Sequence, residues 1–304
     1  MMMRRSILLA SLVALAWRPA IAAPPAQGDD EIIVQGRKLS REDITKVVRS
    51  IGHPEETGGF AWQYPRWADR VCVLVGGFPQ DGGQFIADRI GEVARTLKLD
   101  AGQPGCAPNI FVLATDDPSK LIAKLRLKRH GLIEGPDIDI VEHIQHSHDA
   151  VRWIGATGLS GAYGSPTQAS DQGLAGHSTT QVNSYDGGSR IETTTQTYLT
   201  RETIVVDGTQ LDGISYEQLA DYLAFVALAQ LNPHASAPGI DSILSLFPRG
   251  GSAPTGLTAF DKAYLVGLYQ MNPNAFGTLQ RHQMESSISQ TLRKASATEA
   301  APQP

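Results

Sequence analysis

Two continuous apolar runs, separated by an amphipathic segment, limit most strongly what this 304-residue chain can fold into. The runs are VCVLVG at residues 71–76 and NIFVLA at residues 109–114. Runs of this kind are typical of strands that are buried on both faces of a sheet. The segment between them places its apolar residues on one helical face: Ile86, Ile90, Val93, Ala94 and Leu97. We therefore predict a β-α-β unit over residues 71–114, with parallel strands and a right-handed connection.

The remaining apolar patterns indicate further helices and strands along the chain. Helices are expected over residues 40–51, 120–130, 216–231, 257–269 and 276–294, and strands over residues 151–156, 192–199 and 203–207. Together these elements predict the α+β fold class, with a mixed sheet, flanking helices and a helical C-terminal third.

The expected domain organisation is a single α+β domain over residues 40–294. Within it, residues 158–190 are rich in Gly, Ser, Thr and Gln, which indicates a long irregular loop. A flexible leader over residues 23–39 precedes the domain, and residues 295–304 are expected to form a disordered tail.

Residues 1–22 have the pattern of a secretory signal peptide. Arg4 and Arg5 form a basic start, residues 7–17 are apolar, and small residues at positions 20 and 22 predict cleavage after Ala22. The apolar stretch is shorter than the ~20 residues that a membrane span needs, and no later stretch is long enough. We therefore expect a periplasmic or secreted protein without a transmembrane segment.

The charge of the chain argues against one class of partner. The formal net charge is -5, and the expected signal peptide carries three arginines and no acid, so its removal leaves -8. A chain of this acidity is not suited to bind nucleic acid through its overall charge. The sequence does not identify a partner, and an envelope protein is one candidate.

The sequence contains two cysteines, Cys72 and Cys106, and both lie in the expected mature chain. In an oxidising compartment such a pair usually forms a disulfide, and we predict one here. The alternative is two buried free thiols. Neither cysteine has a neighbouring base that would make it a nucleophile.

Two stretches near the C-terminus resemble a known family. LTAFDKAYLVGLY at residues 257–269 is similar to the helix that follows the active site in metzincin-type zinc peptidases. DSILSLFP at residues 241–248 occupies the place of the turn beneath the metal in those domains. The order of elements is similar too, and the chain also resembles uncharacterised secreted bacterial domains related to zinc peptidases. The resemblance implies a zincin-like fold.

The segment that should carry the catalytic motif departs from the family pattern. Zincins need His-Glu-x-x-His, which places two zinc ligands and a general base on one helix. Residues 216–231 contain no histidine, and their only acids are Glu217 and Asp221. Because two carboxylates without nitrogen ligands make a poor zinc site, we expect a non-catalytic relative without a cofactor.

The alternative function is that of a metal-dependent hydrolase or a metal-binding protein. Residues 142–149 (EHIQHSHD) include His143, His146 and His148, which could hold zinc together with His130 or His177. We favour the interpretation of residues 142–149 as a polar, solvated turn that leads into the next strand.

Two weaker patterns complete the alternatives. GLSGA at residues 158–162 nearly matches the nucleophile elbow of serine hydrolases, with Ser160 at its centre, but its last residue is not glycine. DEIIVQGRK at residues 30–38 resembles the N-terminal segment of TonB-dependent outer-membrane receptors, which implies an accessory role in TonB-linked transport. We favour a short edge strand over residues 31–36.

Overall fold

The structure is a computed structural model that describes residues 32–34, 37–58, 61–133, 138–161, 168–169, 180–181, 192–233, 235–247 and 253–299. The strands in these residues are β1 (Ile32–Val34), β2 (Arg37–Leu39), β3 (Glu55–Gly58), β4 (Ala61–Gln63), β5 (Arg66–Trp67), β6 (Val73–Gly76), β7 (Ile110–Thr115), β8 (Val151–Gly161), β9 (Gln168–Ala169), β10 (Thr180–Gln181) and β11 (Thr195–Asp207). The helices are α1 (Arg41–Ile51), α2 (Gln80–Thr96), α3 (Pro118–Lys128), α4 (Ile138–His146), α5 (Tyr216–Leu228), α6 (Ala259–Gln270) and α7 (Gly277–Glu299). The expected signal peptide, with cleavage at Ala22, lies outside the described residues.

A mostly parallel sheet forms the centre of the molecule. Strands β6, β7 and β11 run parallel, and β8 pairs antiparallel with the other side of β11. The short β5 pairs parallel with the first half of β11, beyond the start of β7. The predicted β-α-β unit is present as β6, α2 and β7, with Val73 opposite Ile110. The expectation of an α+β protein with a mixed sheet and flanking helices is therefore confirmed.

The two faces of the sheet bury two separate apolar clusters. Because side chains alternate along a strand, Ile204 and Val206 of β11 point to one face and Val205 points to the other. The first face carries the larger core, which includes residues of α1, α2, α5, α6 and α7. The second face is covered by α3 and α4, through Ile122 and Ile144 among others. None of the helices in the described stretches combines the length and the hydrophobicity that a bilayer span requires.

From residue 138 onwards the structure differs from the sequence expectation at several places. The strands expected at 192–199 and 203–207 form one strand, β11, and its pairing with β8 shifts register between Leu199 and Arg201. At that irregularity the alternation of inward and outward side chains along the strand is interrupted, which made the sequence resemble two strands. Strand β8 continues to Gly161, into the expected loop, and α7 continues to Glu299, into the expected tail. The expected turn over the histidines is largely helix α4.

Candidate functional site

Helix α5 occupies the position where the resemblance to zincins places the catalytic helix. A capping box starts it, in which the Ser215 hydroxyl accepts from the Gln218 N–H and the Gln218 side chain accepts from the Ser215 N–H. From Leu219 to Leu228 every residue is buried. Carbonyl groups at its C-terminal end accept hydrogen bonds from the Trp67 indole and the Tyr269 hydroxyl, each at 2.8 Å. The helix is thus a central core element, and its side chains contact other parts of the protein nearly all round.

The two acids of α5 do not form a shared metal site. Asp221 is buried, and its Oδ1 lies 2.5 Å from Nε of Arg89 on α2. Its Oδ2 accepts the backbone N–H of Leu257 at 2.7 Å. Glu217 is exposed at the start of the helix, where a hydrogen bond from its own backbone N–H is the largest cause of its lowered pKa. Asp221 therefore joins α2, α5 and the segment before α6, and Glu217 takes no part in that contact.

The turn beneath α5 is organised by a buried carboxylate. Asp261 of α6 has no exposed surface, and it accepts the Ser242 hydroxyl at 2.6 Å and the Ile243 N–H at 2.8 Å. The same carboxylate accepts the N–H and the hydroxyl of Thr258, both at 2.9 Å. Burial is the largest influence on Asp261 and raises its pKa, while these hydrogen bonds act in the opposite direction. The carboxylate thus fixes the 242–245 turn to the start of α6.

The histidine cluster does not converge on a metal site within the described residues. His143 and His146 lie exposed on α4, and His148 lies exposed in the segment that follows. Among the residues that the structure describes, no group of three His, Cys, Asp or Glu side chains could hold a metal ion. His177 and the side chain of His130 lie outside the described part of the molecule. Ser160 lies within β8, rather than at the strand-to-helix turn that a nucleophile elbow requires.

The two cysteines form the predicted disulfide, with their Cα atoms 6.1 Å apart. Cys72 immediately precedes β6, and Cys106 lies in the loop before β7. A surface groove of about 310 Å³ lies next to this disulfide, between the outer edge of β6 and α2. Its lining includes Leu74, Gln84, Ala87, Asp88, Gly91 and Arg95. This groove was not predictable from the sequence, because it depends on how β6, α2 and the disulfide loop meet.

Glu202 is a buried acid that was not predicted as a site residue. It lies on β11 directly opposite Gly155 of β8, with 2 % of its surface exposed. Burial raises the pKa of Glu202 well above that of an ordinary glutamate. Its Oε1 atom has no hydrogen-bond partner in the described structure. The signal in the sequence is an acid in phase with Ile204 and Val206, which places a carboxyl group on a core-facing side of the strand.

Replacement of Glu202 by glutamine is expected to change how stability depends on pH. Because the folded pKa lies above the ordinary value of 4.5, the proton binds more tightly to the folded chain. The tighter proton binding stabilises the fold, and this stabilisation is fully present below pH 4.5. It falls by about 1.4 kcal/mol per pH unit as the pH rises from there towards the folded pKa. Glu202→Gln cannot ionise, so its free energy of unfolding should exceed that of the original chain at pH 8 and approach it at pH 4.

Urea unfolding at several pH values measures this difference. Glu92→Gln removes an exposed carboxylate from α2 and is the control, with no comparable change of slope expected. Parallel pH profiles for the original chain and for Glu202→Gln would show that Glu202 is not a source of pH-dependent stability.

Comparisons with protein-family models, with curated proteins and with solved structures find no match to this chain. The chemistry of the site is therefore inferred from the side chains described above.

Proposed function

We propose that this chain is an exported, non-catalytic domain with a zincin-like fold, and that it binds a partner in the periplasm or outside the cell. The observation that carries the proposal is the state of α5. Its residues from Leu219 to Leu228 are buried, it has no histidine, and its acid Asp221 is held by Arg89 and the Leu257 N–H. A helix in this state does not offer the set of metal ligands that zincin chemistry needs.

The surrounding structure supports the same proposal. The long β11 leads into α5, the 242–245 turn packs beneath α5, and α6 follows, which is the order that the resemblance implies. In the 242–245 turn, the Ser242 hydroxyl and the Ile243 N–H donate hydrogen bonds to the Asp261 carboxylate of α6. The Cys72–Cys106 disulfide fits an oxidising compartment, in agreement with the expected signal peptide.

Metal analysis of the purified mature chain, residues 23–304, tests the proposal. After incubation with zinc and dialysis, we expect zinc far below one atom per chain. No cleavage of a mixture of fluorogenic peptides is expected under the same conditions. One tightly held zinc per chain, or zinc-dependent cleavage, would contradict the non-catalytic function.

A set of variants identifies the source of any zinc. The triple variant His143→Ala, His146→Ala, His148→Ala removes the histidine cluster, and His282→Ala removes an exposed histidine of α7 as the matched control. Zinc that is lost only in the triple variant would establish the metal-binding alternative. Zinc that is retained in both variants would place the site elsewhere, and the non-catalytic proposal would still fail.

A further inference from the structure

The sheet ends at β6, and a short piece of the chain itself begins one more strand beside it. Val71 donates its N–H to the Asp100 carbonyl at 2.9 Å and accepts the Gly102 N–H at 2.7 Å. Val71 and Ala101 thereby form a parallel bridge. Val71, two residues before β6, therefore already pairs with an extended segment of the chain on the side away from β7.

The hydrogen bonds around β6 show which groups point away from the sheet. The carbonyl of Cys72 accepts the N–H groups of Asn109 and Ile110, so Cys72 faces β7 while Val71 faces outward. Since this orientation alternates along a strand, the backbone groups of Val73 and Val75 point outward as well. In the described part of the chain, β7 is the only strand that pairs with β6.

The chain's own segment packs against the disulfide at Gly102, where its pairing ends. A Cβ atom at Gly102 would lie 2.4 Å from Sγ of Cys106 and 3.3 Å from Cβ of Cys72, so only glycine fits there. The chain then turns through Gly105, whose φ of 88° favours glycine, and returns towards β7. Beyond Gly102 no backbone hydrogen bond of the described chain reaches Val73 or Val75 from this side, and Gln103, Pro104 and Gly105 line the groove beside Val73.

The wall opposite this edge has room for side chains. Ala87 and Gly91 are the small residues of the α2 face that lines the groove. Gln84, Asp88 and Arg95 lie along the same face and are exposed, so both signs of charge are present. Leu74 is 43 % exposed, on the side of β6 opposite to the core-packed Val73 and Val75.

We propose that this groove binds an extended polypeptide segment of a partner, which adds to β6 as a parallel strand in continuation of residues 100–102. The segment's backbone bonds the outward N–H and C=O groups of Val73 and Val75. Its residue opposite Leu74 is apolar, and the residues on either side of that one are polar and face Gln84, Asp88 and Arg95. This inference rests on the proposed binding function and names the class of ligand.

An extended peptide fits this surface better than a second copy of the chain does. The edge supplies alternating donors and acceptors over only the four residues of β6. Stable pairs of proteins usually bury about 1,600 Å² in total, which a four-residue edge does not provide alone. A peptide needs only the edge and the groove beside it, and the chain's own residues 100–102 set its direction.

Selection of a random heptapeptide library displayed on phage against the mature chain tests the proposal. The enriched peptides are synthesised, and their affinities are measured by calorimetry. Leu74→Lys places a charge at the edge and should weaken binding about tenfold or more. Val75→Pro removes an outward N–H without removing a bond to β7, and should have a similar effect. Leu127→Lys, at a residue of α3 that is 77 % exposed, is the matched control and should bind normally.

Hydrogen exchange locates the bound peptide independently of the variants. Peptide addition should slow exchange at Val73 and Val75. The proposal fails if no peptide is enriched, if both variants bind as the original chain does, or if protection appears elsewhere. It also fails if sedimentation shows that a second copy occupies the edge. Cleavage of the peptides, or stoichiometric zinc, would instead contradict the proposed non-catalytic function. If the original chain binds no peptide, only the proposed peptide site is contradicted, and the non-catalytic function is not.

Discussion

Alanine in place of Asp261 is expected to lower the free energy of unfolding by about 3–4 kcal/mol. The substitution leaves the Ser242 hydroxyl, the Ile243 N–H and the Thr258 N–H without their acceptor, while the Thr258 hydroxyl keeps the Asp241 carbonyl. Buried donors without partners cost about 1–3 kcal/mol each, although local shifts and entering water reduce the sum. The change also removes half of the capping box that starts α6.

Urea unfolding at neutral pH measures this loss. Asp241→Ala, in the residue just before the turn, is the control, because the cluster uses only the carbonyl of Asp241. We expect it to cost less than about 1 kcal/mol, as substitutions outside such networks usually do. A similar loss for both variants would mean that Asp261 does not organise the turn.

Replacement of both Cys72 and Cys106 by serine is expected to lower the free energy of unfolding by about 3–4 kcal/mol. The bridge closes a loop with a sequence separation of 34, and the estimate follows from the entropy that such a loop removes from the unfolded chain. Thermal and urea unfolding measure the loss. A reducing agent should reproduce it in the original chain and should leave the double variant unchanged.

A loss below about 1 kcal/mol would contradict the stabilising role of the disulfide. The double variant also bears on the groove, because Gly102 packs directly against the disulfide. If residues 101–108 move when the bridge is absent, peptides selected on the original chain should bind the double variant more weakly.

Features that depend on residues close in sequence were predictable. The β-α-β unit followed from two apolar runs and a helical period, and it is present as β6, α2 and β7. The capping boxes at the starts of α1 and α5 likewise join residues only three positions apart. The disulfide was predictable because only two cysteines exist.

Features that depend on distant residues were not predictable. The histidine segment was predicted to be a turn because most of its residues are polar. Val141 and Ile144 nevertheless pack inward as part of helix α4. The burial of Glu202 requires β8 to lie beside β11, and Glu202 is far in sequence from Gly155, the residue opposite it. The position of β6 at the edge of the sheet could not be predicted, because it depends on which strands pair with β6.

The pairing of β8 with β11 has a consequence for how this protein can change over time. Gly161, the last residue of β8, lies directly opposite Thr195, the first residue of β11. The ladder itself therefore holds together the two points that the intervening sequence joins. Each doubling of such a connection costs only about 0.6 kcal/mol, so its length is nearly independent of the stability of the sheet. Insertions between Gly161 and Glu192, including a whole domain, are therefore expected to leave the stability of the β8–β11 pairing nearly unchanged.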